Sequence, residues 1–178
     1  MRGKKVSLHP LRHEDKEILF NWINDRKLVN YNAPYRPISE SNHEEWFKAV
    51  TRKDDVFFFV IKENEKNTTI GSCQLHNVHW INRSAELQIR IGDQKYRNKG
   101  YGSEAIELLL RFGFKDLNLH RIYLHLLKNN ERARKAYLKA GFIVEGDFRE
   151  AVFINGKYAD LQIMSILRDG YEARHSTG

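Results

Sequence analysis

The chain is short of several things, and each shortage excludes something. Among its 178 residues there is one cysteine, Cys73. One cysteine builds no disulfide framework within the chain and no multi-cysteine metal site. No apolar run approaches the roughly 20 residues that a membrane span needs. The basic start "MRGKKVSLHP" leads into no apolar core, so no secretory signal is expected. A cytoplasmic location and no membrane partner follow as expectations. Only three residues are proline, while 12% are aromatic and 41% hydrophobic, which argues against disorder and for one globular domain over 1–178.

What is present is charge, with a net +7. That excess attracts anionic ligands, either a phosphorylated coenzyme or a nucleic acid. The basic residues are spread along the chain rather than gathered into one run, which weighs against nucleic acid. Eight histidines invite a metal reading. His76 and His79 lie three apart in a β-rich run, so they face opposite sides. His120 and His125 also lack ligand spacing, and no metal is expected.

"VSLHPL" reads as a strand. "HEDKEILFNWINDRKLV" reads as a helix, with Ile18, Leu19, Trp22 and Ile23 at helical spacing. "NYNAPYRPIS" is a loop punctuated by Pro34 and Pro37. Ser39 or Ser41 then caps a short helix. "VFFFVIKE", "TTIGSCQLHNVHWI" and "SAELQIRIGD" read as an antiparallel meander. In the last of these, Leu87, Ile89 and Ile91 share one face, and Glu86, Gln88 and Arg90 the other. A helix "SEAIELLLRFGFKDL", a strand "HRIYLHLL" and a helix "NNERARKAYLKAGF" follow. The last helix has Asn129 or Asn130 as N-cap and Gly141 as its stop. Asn155-Gly156 closes a terminal hairpin. The order β-α-α-β-β-β-α-β-α-β-β is a mixed α/β domain with a largely antiparallel central sheet.

Between the meander and the next helix stands "YRNKGYG". A helix start offers amides without intrahelical partners and a partial positive charge. Glycines allow close backbone approach, and Arg97 and Lys99 add charge, so the turn suits pyrophosphate. Neither the Walker spacing nor G-x-G-x-x-G is present. Taken alone, a tight strand-to-helix turn explains these residues equally well.

The turn does not stand alone. Arg97-Asn98-Lys99-Gly100-Tyr101-Gly102 matches [QR]-x-x-G-x-[GA]. Asn130, Ala133, Tyr137, Gly141 and Phe142 match N-x-x-A-x-x-x-Y-x-x-x-G-F. In this order the motifs resemble the GNAT N-acetyltransferase superfamily. The branch most similar holds ribosomal-protein alanine, spermidine and amino-sugar acetyltransferases. The resemblance implies a twisted sheet with a V-shaped splay between two strands, and acetyl-CoA as co-substrate. It implies pyrophosphate on the amides from Arg97, Asn98, Lys99, Gly100, Tyr101 and Gly102 to Ser103. It implies a pantetheine arm along Ile89, Arg90 and Ile91, with Asn130 on the far side. It makes Tyr137 the general acid for the leaving thiolate; on spacing alone Tyr137 is a packed helical tyrosine. Glu86 fits two roles equally, a base toward the acceptor amine or a cross-strand salt-bridge partner. Cys73 fits an inert buried thiol better than a nucleophile.

The acceptor pocket is expected from the early helices, the proline loop and the last hairpin. Its candidates are Trp22, Tyr31, Tyr35, Arg36 and Asp160, with Asn24, His43, Trp46, Phe47, Phe153 and Tyr158 nearby. The leading expectation is acetyl transfer to a primary amine, a protein N-terminus or an amino sugar or other small amine, in a ternary complex. A polyamine acceptor is the alternative, although "NWINDRKLVNYNAP" supplies little acid for it. A silent acyl-CoA-binding domain and a nucleic-acid-binding domain are the rivals from other classes. A homodimer is expected at family level only.

Overall fold

The alternation in "SAELQIRI" becomes the middle strand of a seven-stranded sheet. The computed structural model describes residues 1–31 and 33–176. Its strands are β1 (Val6–Pro10), β2 (Phe57–Glu63), β3 (Thr68–His79), β4 (Ser84–Ile91), β5 (Arg121–Leu127), β6 (Ile143–Ile154) and β7 (Lys157–Leu167). They lie in the order β1-β2-β3-β4-β5-β7-β6. Its helices are α1 (Lys16–Asn24), α2 (Arg26–Val29), α3 (Glu40–Val50), α4 (Tyr101–Arg111), α5 (Glu131–Lys139) and α6 (Arg168–His175). Every neighbouring pair is antiparallel except β4 and β5. The fold is mixed α/β, as the order of elements led us to expect.

The parallel pair is short. Ser84, Ala85 and Glu86 pair with Arg121, Ile122 and Tyr123, and the ladder stops there. Beyond it β4 keeps only β3 as a partner, as far as Ile91. β5 keeps only β7, as far as Leu127. The sheet therefore opens between β4 and β5. This opening is the V-shaped splay.

One face of the sheet carries α4, whose Ala105, Ile106, Leu108, Leu109 and Leu110 are buried. Each fully buried leucine contributes about 1.5–3 kcal/mol. α4 packs on β1, β3 and β4 and ends in one wide turn, in which the Leu117 amide donates to the Phe112 carbonyl. The other face of β3 and β4 lies under α1 and α3.

Two local readings change. The long first helix is broken at Asp25, which is extended (ψ 99°) and whose carboxylate accepts from the amides of Lys27 and Leu28. A short acidic side chain there caps a new helix instead of continuing the old one. A final helix, α6, follows β7 where the sequence showed no strong periodicity. It is held by Tyr171, 3% exposed and packed on Phe114 at 4.8 Å between ring centroids. Arg174 from α6 donates to the carbonyls of Lys139 and Ala140, capping α5. Ser39 is the cap of α3, Asn130 caps α5, and Asn155 and Gly156 (φ 52° and 79°) form the hairpin turn. Among the described residues no helix is long and apolar enough to cross a membrane.

Two consequences are measurable. A Cβ on Gly92 would overlap the ring of Trp22. Gly92→Ala should lose about 1–3 kcal/mol in urea unfolding, and Trp22→Ala should relieve part of that loss in a double-mutant cycle. The second concerns Glu145. Arg121 Nη1 donates to its Oε1 at 2.6 Å, Nη2 donates to Oε2, and Ser165 Oγ donates to Oε1 at 2.6 Å. The Arg121 and Ser165 hydrogen bonds hold the Glu145 carboxyl at about 2, against an ordinary 4.5. A depressed carboxyl contributes stability above its unfolded value and loses it as pH falls toward about 2. Glu145→Gln should flatten the stability-pH curve between those limits.

Candidate active site

The unpaired edge of β4 and the start of α4 form one slot of about 380 Å³. Ile89, Arg90, Ile91, Arg97, Asn98, Gly100, Gly102 and Ser103 line it from β4 and the turn; Asn130, Arg132, Ala133, Lys135, Ala136, Tyr137 and Lys139 line it from α5. Of the residues assigned to the coenzyme from sequence, only Lys99 and Tyr101 do not line this slot. Gly100 is left-handed (φ 86°) and caps α4. The first intrahelical bond runs from the Glu104 amide to the Gly100 carbonyl. The amides of Tyr101, Gly102 and Ser103 therefore have no partner within the helix and point at the slot's end.

The positive charge around this end is arranged differently from the sequence expectation. Arg97 is a staple: its Nε donates to the Ile91 carbonyl at 3.1 Å and its Nη2 to the Gly92 carbonyl at 3.0 Å. Lys99 contributes its carbonyl, which accepts from Lys5 Nζ at 3.1 Å. Lys5 Nζ also lies 3.5 Å from where a Gly100 Cβ would be. Lys5, Arg132, Lys135 and Lys139 supply cations that the motif did not reveal. Lys5 is 95 positions before Gly100 in the chain, and only tertiary packing joins them. The amides of Lys4 and Lys5 donate to the Glu104 carboxylate, clasping the N-terminal segment onto the first turn of α4.

Tyr137 is 8% exposed, lines the slot and meets Phe142 edge-on at 5.6 Å. Burial pushes its hydroxyl above the ordinary tyrosine value. The group is therefore neutral and able to donate throughout the range in which amines are acetylated. Cys73 is 2% exposed and burial raises its thiol, so the thiolate is disfavoured there.

Across the sheet from α5, at the base of the splay, stands Glu86. A bulge in β3 between His76 and His79 places Asn77 (φ 52°) beside it. Asn77 Nδ2 donates to Glu86 Oε2 at 3.1 Å, and His125 Nδ1 lies 2.9 Å from Glu86 Oε1. Glu86 thus bonds across the strands to both, where the β4–β5 ladder ends.

On the same face, α1 and α3 roof a second cavity of about 350 Å³, which shares Ile89 and Arg90 with the slot. Leu19, Ile23, Ile38, Trp46 and Phe58 make it apolar; Asn42, His43, Gln74, Gln88 and Arg90 make it polar. His43 stacks on Trp46 at 5.1 Å. Arg90 Nε is buried without a hydrogen-bond partner among the described residues, and burial lowers its guanidinium from the ordinary value.

The five residues named for the acceptor lie outside this cavity. Trp22 packs on Gly92. Tyr31 sits at the slot's rim between Arg97 and Arg132, 5.7 and 5.1 Å from its ring centroid, with its carbonyl bonded to Asn130 Nδ2. Tyr35 faces Arg26, and Arg36 is exposed. Asp160 accepts from the Glu150 amide and pairs with Lys128 at 3.7 Å. Of the neighbouring candidates, His43 and Trp46 line the cavity. Among the described residues no group of three or more His, Cys, Asp or Glu side chains gathers as a metal site would.

Residues 5–143 match the acetyltransferase (GNAT) domain model. The chain belongs to the GNAT acetyltransferase family. It is 34% identical to the spermidine N(1)-acetyltransferase of Vibrio cholerae, over 95% of this chain and 96% of that one. It is 33% identical to the spermidine N(1)-acetyltransferase of Escherichia coli K12, over 97% and 91%. It superposes on the crystal structure of the Vibrio cholerae spermidine N-acetyltransferase in complex with CoA and spermine with a TM-score of 0.88, at 32% identity, covering 96% of this chain and 99% of that one. As a GNAT enzyme it is an acetyl-CoA-dependent acetyltransferase. The splayed edge, the left-handed Gly100 and the free amides of α4 fit that co-substrate: a peptide-like arm can add to the β4 edge, and a pyrophosphate can meet the amides.

Two substitutions separate binding from chemistry. Gly100→Val places a β-branched residue at φ 86°, a strain of about 1–2 kcal/mol, and puts bulk where phosphate must approach. Calorimetry should show CoA affinity lowered about tenfold or more. Tyr137→Phe should leave CoA affinity nearly unchanged and lower kcat by about 10²–10⁴. Full activity of Tyr137→Phe across pH would remove the tyrosine from the acid role.

Proposed function

We propose that the enzyme acetylates a primary amine of a polyamine by direct transfer in a ternary complex. The carrying observation is kinship over nearly the whole chain with spermidine acetyltransferases. The coenzyme arm lies along Ile89, Arg90 and Ile91, and its pyrophosphate meets the amides of Tyr101 to Ser103. The amine nitrogen attacks the thioester carbonyl from the face that carries Glu86 and His125. A backbone N–H of the unpaired β4 edge meets the oxyanion. The C–S bond breaks, and Tyr137, on the opposite face, gives its proton to the departing sulfur. No covalent enzyme intermediate is needed. A cytoplasmic setting and a homodimer belong to this reading.

One observation favours a second acceptor. Among the described residues the cavity under α1 and α3 has no carboxylate in its lining, and Arg90 Nε there has no hydrogen-bond partner. Such a lining suits an amine with a polar or anionic body, a nucleotide-linked amino sugar or a peptide N-terminus, better than a polycation.

Thiol release from acetyl-CoA, measured with spermidine, nucleotide-linked amino sugars and peptides beginning with Ala or Ser, decides between them. Release with spermidine at a kcat/KM well above the others is expected. Release with an amino sugar or a peptide and none with spermidine replaces the polyamine reading by the second one.

A further inference from the structure

Glu86 has both carboxylate oxygens engaged, one by Asn77 and one by His125. A carboxylate so occupied is a poor place to put an incoming proton. The imidazole beside it is different. With its Nδ1 against a carboxylate oxygen at 2.9 Å, the neutral ring keeps the proton on Nδ1 and leaves the Nε2 lone pair free. Of the pair, His125 is the more open, its side chain 31% exposed against 20% for Glu86.

The ring is also well placed. β4 and β5 last pair at Glu86 and Tyr123, and His125 is two residues further along β5, on the same face as Tyr123. It therefore stands at the mouth of the splay, on the face turned away from α5 and Tyr137. Phe148 of β6 walls it at 5.7 Å, and Tyr123 meets it edge-on at 5.8 Å. Ile163 is its register partner on β7. Glu86 is the charged group in contact with it. His76, opposite Glu86 on β3, shares this face, and the charges beyond, Arg121 and Glu145, are paired with each other.

We infer that His125 Nε2 is the base that takes the proton from the acceptor ammonium, and that Glu86, held by Asn77, positions it. This rests on the acetyl-transfer reading and names a residue for it, whichever amine is the acceptor. One N–H bond of the ammonium breaks and its proton passes to Nε2. The freed lone pair forms the N–C bond to the thioester carbonyl. The C–S bond breaks, and the sulfur takes the proton of Tyr137. His125 then returns its proton to solvent, as does the acetylated nitrogen its second one, and the Tyr137 oxygen regains one. The balance is amide, free thiol and one proton released per turnover from the ammonium.

The test has two arms. In the first, His125→Ala and Glu86→Ala are assayed by thiol release with the amine that the wild type accepts. His125→Ala should lower kcat by about 10²–10⁴ with CoA affinity unchanged, lose the acid limb of the kcat/KM profile, and recover rate with added imidazole. Glu86→Ala should lower kcat less, and added imidazole should not restore it, since its own imidazole remains. A His125→Ala enzyme with the wild-type rate and profile, beside an inactive Glu86→Ala, overturns the inference and makes Glu86 the base. In the second arm, ¹⁵N NMR of the wild-type imidazoles reads the tautomer without any turnover or folding of a variant. A neutral His125 protonated at Nδ1 is required; protonation at Nε2 overturns the inference. A wild type that acetylates no amine would instead sink the acetyl-transfer reading, and the tautomer would still be read.

Discussion

The rest of this structure depends on a ladder that stops after three residues. β4 and β5 are each secured on their outer side, β4 by β3 and β5 by β7. Each also sends its apolar residues, Ala85 and Leu87 or Ile122, Leu124 and Leu126, into the same core. The two strands can therefore diverge after Glu86 and Tyr123 without either coming loose. What the divergence leaves behind is an edge of β4 that, beyond Glu86, has no strand beside it among the described residues. An open strand edge can take a further extended segment through its backbone groups, as the proposed seat of the coenzyme arm requires. The splay is thus both the gap in the sheet and the feature on which the proposed coenzyme site rests.

The splay also separates two kinds of chemistry. On the helix side, burial keeps Tyr137 protonated, the state that its proposed acid role calls for. On the other side, Asn77 and His125 each bond to Glu86, and the proposal gives this trio the handling of the ammonium. A protonated acid and a free base placed together would neutralise each other's purpose. The sheet, opened along one line, holds the two groups apart. The surrounding elements serve this arrangement. Arg97 fixes the end of β4, Lys5 the start of α4, and Arg174 the end of α5.

Much of this was legible in order. The 3.6-residue spacing of Ile106, Leu109 and Leu110 gave α4, and the alternation of Leu87, Ile89 and Ile91 gave β4. Asn130, Gly141 and Asn155-Gly156 marked ends and turns through chemistry local to themselves. The turn around Gly100 and the position of Tyr137 were legible for the same reason: a strand end, a helix start and a helix face are short-range facts. Asp25 shows where such reading fails. Its neighbours keep helical spacing on both sides, and only its carboxylate capping Lys27 and Leu28 reveals the break.

By itself the sequence determined the strands, most of the helices, their order and the family, because periodicity and capping act over a few residues. The tertiary structure alone decided which side chains share a site. Lys5 beside Gly100, His125 beside Glu86, Arg90 between two cavities, and Trp22 against Gly92 are all products of strand order and of the side to which each pleat turns. Nothing within ten residues of any of them records it. Tyr31, read as an acceptor contact, sits at the slot's rim beside Asn130, Arg97 and Arg132, all remote in sequence. Local chemistry writes the parts, and long-range packing assigns their partners.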